Sequence, residues 1–277
     1  MKKHIRLLKP LLFLSFTLCS ATSRGQGNLL VTPRRIVFEG GKKTAEINLA
    51  NVGKDSARYV VSMVEMRMNE NGSFETITQP DSGENFASKY LRYFPRSVYL
   101  GPNEPQVIKV QLHNTAQLKP GEYRSHIYFR AVPEEKPLGE EDEAAKEGTI
   151  SVKLTPVFGI TIPVIIRIGE SNTTVKFSGL KFQMKDTIPQ LDFTIDRSGN
   201  MSVYGDVEVA HIAKDGKSTK VYAAKGLSVY TPNKKRLVAA KLETKEKVDF
   251  RSGYLHVTYS SQTDAKEKLA ETEIKLD

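Results

Sequence analysis

The residue types that most often carry catalysis are sparse in this sequence and lie far apart. Beyond the N-terminal segment, the histidines occur singly in strand-like surroundings, at His113, His126, His211 and His256. No Gly-x-Ser-x-Gly or His-Glu-x-x-His motif is present, so neither the serine nucleophile nor the zinc site that these motifs build is indicated. The sequence therefore predicts no catalytic residue, no metal site and no cofactor.

Two short stretches imitate ligand-binding loops. Asp-Gly-Lys-Ser-Thr at 215–219 looks like the end of a phosphate-binding loop, but the position five residues before its glycine holds His211 instead of a second glycine. The stretch that starts with Asp-Arg-Ser-Gly-Asn begins like a calcium loop. Its sixth position, which requires glycine, is Met201, and its twelfth is Val207 instead of glutamate. Both stretches are predicted to be hairpin turns.

Residues 1–25 have the layout of a secretory signal peptide, with a basic start, an apolar run and then small and polar residues. The apolar run is too short to span a bilayer. Cleavage is expected after Gly25 or after Ser23. Cys19 would suit a lipoprotein, but Leu18 before it is not the small residue that lipid attachment requires. The sequence therefore predicts that the chain is exported.

Removal of residues 1–25 lowers the net charge, and with it the indication that the protein binds nucleic acid. The whole chain carries a net charge of +9, and residues 1–25 hold five basic residues and no acidic one, so the mature chain keeps +4. No basic stripe remains that would indicate a nucleic-acid-binding surface. Cys19 is the sole cysteine, so the mature chain has no internal disulfide and no thiol nucleophile. No later segment is apolar and long enough to cross a membrane.

Almost all of the mature sequence consists of short β-rich runs separated by turn residues, and Asn71-Gly72 is a strong hairpin signal. The runs form two groups of about seven, which predicts an all-β fold of two immunoglobulin-like β-sandwich domains in tandem. The predicted domains are 26–168 and 169–277. Within the first group, directly before its last strand, the acidic residues 133–148 are expected to form a solvated flexible loop or, less favourably, a short acidic helix.

The stretch 149–169 stands out because every even position from Ile150 to Ile168 is apolar. A period of two predicts a strand with one apolar face. Pro156 and Pro163 interrupt it, and proline belongs on sheet edges because it donates no hydrogen bond to the ladder. A long apolar edge strand promotes aggregation, and most proteins avoid one, so its presence here requires an explanation.

Three segments stand together in a characteristic order and spacing. They are Arg-Ile-Val-Phe at 35–38, Pro-Arg-Ser-Val-Tyr-Leu-Gly-Pro-Asn-Glu-Pro-Gln-Val-Ile-Lys-Val at 95–110, and Phe-Arg-Ala-Val-Pro at 129–133. With these segments the chain resembles the PapD-like family, the periplasmic pilus chaperones of the usher pathway. The resemblance covers most of residues 30–168, and the second half matches only loosely.

The resemblance implies a function for the edge strand. In this family the last strand of the first domain, called G1, lends alternating apolar side chains to a pilus subunit that lacks its own final strand. It implies a periplasmic location, no enzymatic activity, and pilus or other β-sandwich subunits as partners, with an outer-membrane usher as a further candidate. Residues from Ile162 to Ile168 would stay in the core of the chaperone. The implied donor residues are Ile150, Val152, Leu154, Phe158 and Ile160.

The family also holds the terminal carboxylate of the subunit between its domains, with an arginine of the first strand and a lysine of G1. Arg35 matches the arginine, but the lysine position holds Pro163. Either Arg34, Lys153 or another basic residue replaces the lysine, or the carboxylate anchor is not used.

Two further residues match the family at its domain joint. Glu122 and Arg167 correspond to the first-domain members of an interdomain salt bridge. An alternative function is that of a secreted or surface PapD-like module that is structural and has no chaperone activity, in which residues 150–160 would be covered within its own fold. A carbohydrate-binding module is disfavoured because the chain has no Trp.

Overall fold

The computed structural model describes residues 29–133, 157–262 and 266–276. Within these ranges the chain forms strands and two short 3-10 turns, Ser88–Tyr90 and Thr115–Gln117. The strands of the first half are β1 (Leu29–Thr32), β2 (Ile36–Phe38), β3 (Thr44–Asn51), β4 (Ala57–Val64), β5 (Met66–Met68), β6 (Phe74–Thr76), β7 (Leu91–Phe94), β8 (Ser97–Leu100), β9 (Pro105–Leu112), β10 (Gly121–Val132) and β11 (Gly159–Ile168).

The strands of the second half are longer and follow one another with short connections. They are β12 (Thr174–Lys185), β13 (Ile188–Ser198), β14 (Val203–Ile212), β15 (Ser218–Val229), β16 (Lys235–Lys241), β17 (Tyr254–Ser261) and β18 (Lys268–Lys275).

The first half folds into an N-terminal sandwich of two sheets. Their strand orders are β1-β3-β9-β7 and β2-β11-β10-β4-β8. Alternate residues of each strand point between the sheets, and they form one apolar core that includes Phe38, Leu49, Ile108 and Phe129. The first strand region serves both sheets, because β1 pairs with β3 and, after Pro33, β2 pairs with β11.

The second half folds into a C-terminal sandwich, with sheets in the orders β12-β13-β16 and β15-β14-β17-β18. In β14, buried and half-buried residues alternate along the whole strand, as expected when only one face of a sheet packs on a core. The core includes Leu191, Phe193, Val209 and Tyr259.

The predicted all-β fold of two immunoglobulin-like sandwiches is confirmed. The hairpin predicted at Asn71-Gly72 is also confirmed, because β5 and β6 pair around it. The domain limits 26–168 and 169–277 stay predictions, and the acidic segment 133–148 lies outside the described residues except for Pro133. In the described part of the chain, no helix is long and apolar enough to cross a membrane.

A small apolar cluster joins the two sandwiches. Ile165 of β11 and Met68 of β5 are buried against Tyr230, which follows β15, with Val37 beside them. Side chains alternate between the faces of a strand, so Ile165 points away from the N-terminal core that its neighbours fill. The β5–β6 hairpin thus packs on the C-terminal sandwich, where the backbone N–H of Leu237 donates a 2.8 Å hydrogen bond to the carbonyl of Glu70.

Candidate functional site at the edge of β11 and the adjoining cleft

Strand β11 has one fully paired side and one partly paired side. It pairs antiparallel with β10 along its whole length, from Gly159 opposite Arg130 to Ile168 opposite Gly121. On its other side β2 pairs with it in parallel, and this pairing covers only Val164–Ile166. Among the described residues, no strand pairs with the outer side of 159–163, so this half of β11 is a sheet edge.

The hydrogen-bond pattern shows which backbone groups face that edge. The N–H of Ala131 donates to the carbonyl of Phe158 at 3.0 Å, and in an antiparallel ladder alternate residues bond to the neighbouring strand. The backbone groups of Phe158 and the even-numbered residues after it therefore point toward β10, and those of Gly159, Thr161 and Pro163 point outward. Pro163 consequently removes no hydrogen bond from the ladder with β10.

The side chains of β11 divide along the strand. Ile162, Val164 and Ile166 are buried in the N-terminal core, and Ile160 is half-buried against it. Phe158 is 65% exposed. The other implied donor residues, Ile150, Val152 and Leu154, lie outside the described residues.

Arg35 lies where the open edge ends. It precedes Ile36, which is opposite Val164, so Arg35 is level with Pro163 on the neighbouring strand. Its guanidinium lies over the ring of Tyr204, 4.6 Å from the ring centre. Its Nε atom is buried and has no hydrogen-bond partner among the described residues. Burial lowers the pKa of Arg35, and the nearby Tyr230 opposes that effect.

An open cleft of about 270 Å³ lies beside Arg35, between the two sandwiches. Both sandwiches contribute charged and aromatic side chains to its walls. Arg34, the second predicted anchor residue, is exposed and is part of this lining, whereas Lys153 lies outside the described residues. The cleft is lined by Arg34, Arg35, Phe74, His126, Thr161, Pro163, Tyr204, Tyr230 and Arg236, among others.

Behind the cleft lies a buried ion pair that sequence analysis did not identify. Arg124 donates to Glu84 at 2.8 Å, to the carbonyl of Met66 at 2.8 Å and to the carbonyl of Thr231 at 3.3 Å. Its guanidinium also stacks 4.7 Å from the ring centre of Tyr230. Since both partners of the ion pair are buried, the cost of removing their charges from water offsets much of their mutual attraction.

His126 lies at the cleft beside this ion pair. Burial, and secondarily the charge of Arg124, lowers the pKa of His126 to about 3, so the imidazole is neutral near neutral pH. The ring packs edge-on against Phe74, with 5.5 Å between ring centres. His126 is also opposite Pro163 in the β10–β11 ladder.

Glu122 and Arg167, which the resemblance assigned to the domain joint, lie opposite each other on β10 and β11. Arg167 Nε donates to Glu122 Oε2 at 3.2 Å, and Arg167 Nη2 donates to the carbonyl of Ser202 at 2.8 Å. The N–H of Ser202 donates to Glu122 Oε2 at 3.0 Å, and its hydroxyl donates to Glu122 Oε1. The pair therefore binds the start of β14 in the other sandwich.

Sequence reasoning missed the contributions of the second half to the cleft, namely Tyr204, Tyr230 and Arg236. They are far apart in sequence, and the family resemblance is loose there. Tyr204 lies on β14, Tyr230 directly follows β15 and Arg236 lies on β16, so no local sequence signal groups them. No group of three or more histidine, cysteine, aspartate or glutamate residues that could hold a metal occurs in the described part of the chain.

Comparison with known proteins gives similarity in structure and none in sequence. No protein-family model matches the chain, and a search of curated protein sequences finds no match. Among solved structures, the YadV chaperone has 12% identity and a TM-score of 0.45, with 90% of this chain and 99% of that chain covered. The CupB2 chaperone of Pseudomonas aeruginosa has 11% identity and a TM-score of 0.43, with 89% and 99% covered.

A third similar structure contains a bound partner. It is the SafA pilin of Salmonella enterica in complex with the SafB chaperone, with 11% identity, a TM-score of 0.43, and 91% of this chain and 98% of that chain covered. The identities of the three structures are low, so what these proteins bind does not transfer to this chain by likeness.

Proposed function

We propose that this protein is a non-enzymatic periplasmic chaperone that caps an incompletely folded β-sandwich subunit of a pilus by adding its own β11 edge to that subunit. The observation that carries the proposal is the open side of 159–163, which ends at Arg35 in a cleft between two sandwiches. An exposed edge of this kind binds another strand through its backbone.

The geometry defines how a guest strand would lie. The N–H groups of Gly159 and Thr161 point outward, and β2 occupies the same side of β11 from Val164 onward. A guest strand that continues the line of β2 runs parallel to β11 and stops at the level of Pro163. Its last residue then reaches Arg35, and a terminal carboxylate would accept hydrogen bonds from the guanidinium.

The apolar side chains beside this edge supply the remaining affinity. Phe158, directly before β11, is exposed, and burial of a side chain of this size contributes about 1.5–3 kcal/mol. The predicted donors Ile150, Val152 and Leu154 lie outside the described residues. They occupy alternate positions like Phe158, and their burial in the subunit would increase the affinity further. Backbone pairing then provides affinity, and the alternating side chains provide selectivity for the groove of the subunit.

The proposal is tested by removing one outward N–H from the edge. Thr161→Pro deletes the N–H that faces a guest strand but leaves the ladder to β10 complete. Thr161→Ala is the matched control, because it shortens the same side chain and keeps the N–H. Each affinity-tagged protein is recovered from the periplasm of its source organism, with a photo-cross-linking amino acid at position 158, and the cross-linked proteins are identified by mass spectrometry.

We expect wild type and Thr161→Ala to cross-link a fimbrial-type β-sandwich subunit, and Thr161→Pro to lose most of that product while its melting temperature stays close to that of wild type. Equal cross-linking by all three proteins would show that the edge does not carry binding. Absence of any subunit from the wild-type sample would instead favour a structural module without chaperone activity.

A further inference from the structure

A second cation in the cleft comes from the C-terminal sandwich. Arg236 of β16 lines the same cleft as Arg35, and its Nη1 donates a 3.0 Å hydrogen bond to the carbonyl of Ser228. Burial lowers the pKa of Arg236, as it does for Arg35. Tyr230 lies close enough to both guanidinium groups to oppose the lowering of their pKa values by burial.

The backbone of the β5–β6 hairpin holds Arg236 in place. Gly72, at the hairpin turn, has a φ of +85°, and a Cβ there would lie only 2.7 Å from Cζ of Arg236. The absence of a side chain therefore lets the turn pack directly on the guanidinium. Two hydrogen bonds fix the hairpin beside it, from Leu237 N–H to the carbonyl of Glu70 at 2.8 Å and from Asn233 Nδ2 to the carbonyl of Met68 at 2.6 Å.

We propose that Arg236 is the second cation of the carboxylate site, so that a bound chain terminus bridges the N-terminal and C-terminal sandwiches. This inference rests on the proposed function. It identifies Arg236 as the replacement for the lysine that the family has at the position of Pro163. Two half-buried guanidinium groups of like charge in one cleft are poorly solvated, and a carboxylate between them compensates both.

Other basic residues near the cleft are less suited to this role. Arg124 is fully buried and already bonded to Glu84 and to two carbonyls. Arg197 donates to the carbonyls of Asn233, Gly199 and Met201. Arg34 lines the cleft but is exposed, so water screens its interaction with an anion. Arg236 combines a place in the cleft with partial burial and a rigid support.

The probe is a short fluorescently labelled peptide of alternating valine and serine that ends in a free carboxylate, compared with the same peptide ending in an amide. Fluorescence polarisation measures the affinity of the mature protein for both. Wild type is expected to prefer the carboxylate form by about tenfold or more, because a charge-assisted hydrogen bond contributes that much. Arg236→Gln is expected to lose most of this preference, and Arg236→Lys to keep part of it because the charge remains.

Two variants are each compared with a matched control: Arg236→Gln with Lys241→Gln, and Gly72→Ala with Gly216→Ala. Lys241→Gln removes one exposed charge from the same strand and is expected to keep the wild-type preference. Gly72→Ala displaces the guanidinium without removing it and is expected to act like Arg236→Gln. Gly216→Ala has the same φ of +85° with open space around the new Cβ, and is expected to behave as wild type.

The outcomes separate the two proposals. If wild type prefers the carboxylate and Arg236→Gln keeps that preference in full, the inference is wrong and the chaperone function stands. If wild type binds neither peptide, the proposed strand addition fails, and the inference fails with it. A loss caused equally by Lys241→Gln would overturn the specific role of Arg236, because net charge alone would then explain it.

Discussion

Glu122 on β10 accepts a 3.0 Å hydrogen bond from the backbone N–H of Ser202, so a carboxylate of the N-terminal sandwich binds the connection between β13 and β14 in the C-terminal one. The same carboxylate accepts from Arg167 at 3.2 Å and lies at 3.4 Å from the hydroxyl of Thr231. This buried side chain is therefore one of the contacts that set the relative placement of the two sandwiches, and hence the shape of the cleft.

Glu122→Gln is expected to lower the free energy of unfolding by about 1.5–3 kcal/mol, because hydrogen bonds to a charged group are lost at a buried site. Urea denaturation measures this change. Glu39→Gln is the control, since Glu39 contacts the same Arg167 at 3.4 Å from an exposed position, and exposed pairs contribute about 0–1 kcal/mol. Equal losses in the two variants would contradict the importance of the buried carboxylate.

Phe158→Asp is expected to abolish capture of a subunit while changing the melting temperature little. Phe158 is exposed, so a charge there costs little solvation. Ile162→Asp is the contrast: Ile162 is buried in the N-terminal core, and an unpaired charge there should destabilise the sandwich by several kcal/mol. Thermal unfolding and pull-down are measured on both variants. A large drop in melting temperature for Phe158→Asp would assign that side chain to the protein's own core.

His126 makes stability depend on pH in a defined direction. Its pKa is about 3 in the folded protein, lowered by burial and then by Arg124, against about 6.5 in an unfolded chain. As the pH falls, the unfolded state therefore binds the proton before the folded state does. The contribution of the neutral imidazole to the free energy of unfolding is complete above about pH 6.5 and is lost as the pH falls toward 3. The slope is at most about 1.4 kcal/mol per pH unit.

Urea unfolding of wild type and His126→Gln across this range provides the measurement. The difference between the two proteins isolates the histidine, since other groups such as Glu84, whose pKa burial raises, are present in both. We expect the stability of wild type to fall more steeply with acid. Parallel curves would mean that His126 binds its proton equally well in the folded and the unfolded protein, and would contradict the lowered pKa.

Ile165 and Ile166 are adjacent, but their substitution is expected to have different effects. Ile166 packs in the N-terminal core, whereas Ile165 packs on Met68 and Tyr230 at the joint. Substitution of either residue by alanine should cost about 2–5 kcal/mol. Only Ile165→Ala should also loosen the two sandwiches, which small-angle X-ray scattering detects as a larger radius of gyration. An unchanged radius in that variant would show that the other joint contacts suffice.

The sequence predicted the strand content, the two sandwiches and the apolar face of β11, because all three follow from local periodicity. It also placed Pro163 on an edge. It did not predict that Ile165 is buried as well, since a period-two pattern describes only the face that its own sandwich covers. The second face is covered by the other sandwich, and this contact depends on residues far away in the sequence.

The proposed carboxylate site could be predicted from the sequence only in part, for the same reason. Arg35 was identified by a motif that is local to the first strand region. Arg236 lies two hundred residues further on, and it reaches the cleft only through the fold of β16 and the packing of the β5–β6 hairpin. The ion pair of Arg124 with Glu84 likewise joins a strand to a connection before it, and no sequence spacing indicates such a pair.

Pro163 has one more consequence. Its backbone faces outward next to the last outward N–H, that of Thr161, and it offers a carbonyl but no donor there. If the proposed strand addition occurs, the guest strand therefore pairs with β11 in one fixed register, which the position of Pro163 sets. Guests of different sequence would be aligned by their chain ends, at Arg35, and not by their side chains. One binding edge could then accept several related guests and still hold each of them in the same register.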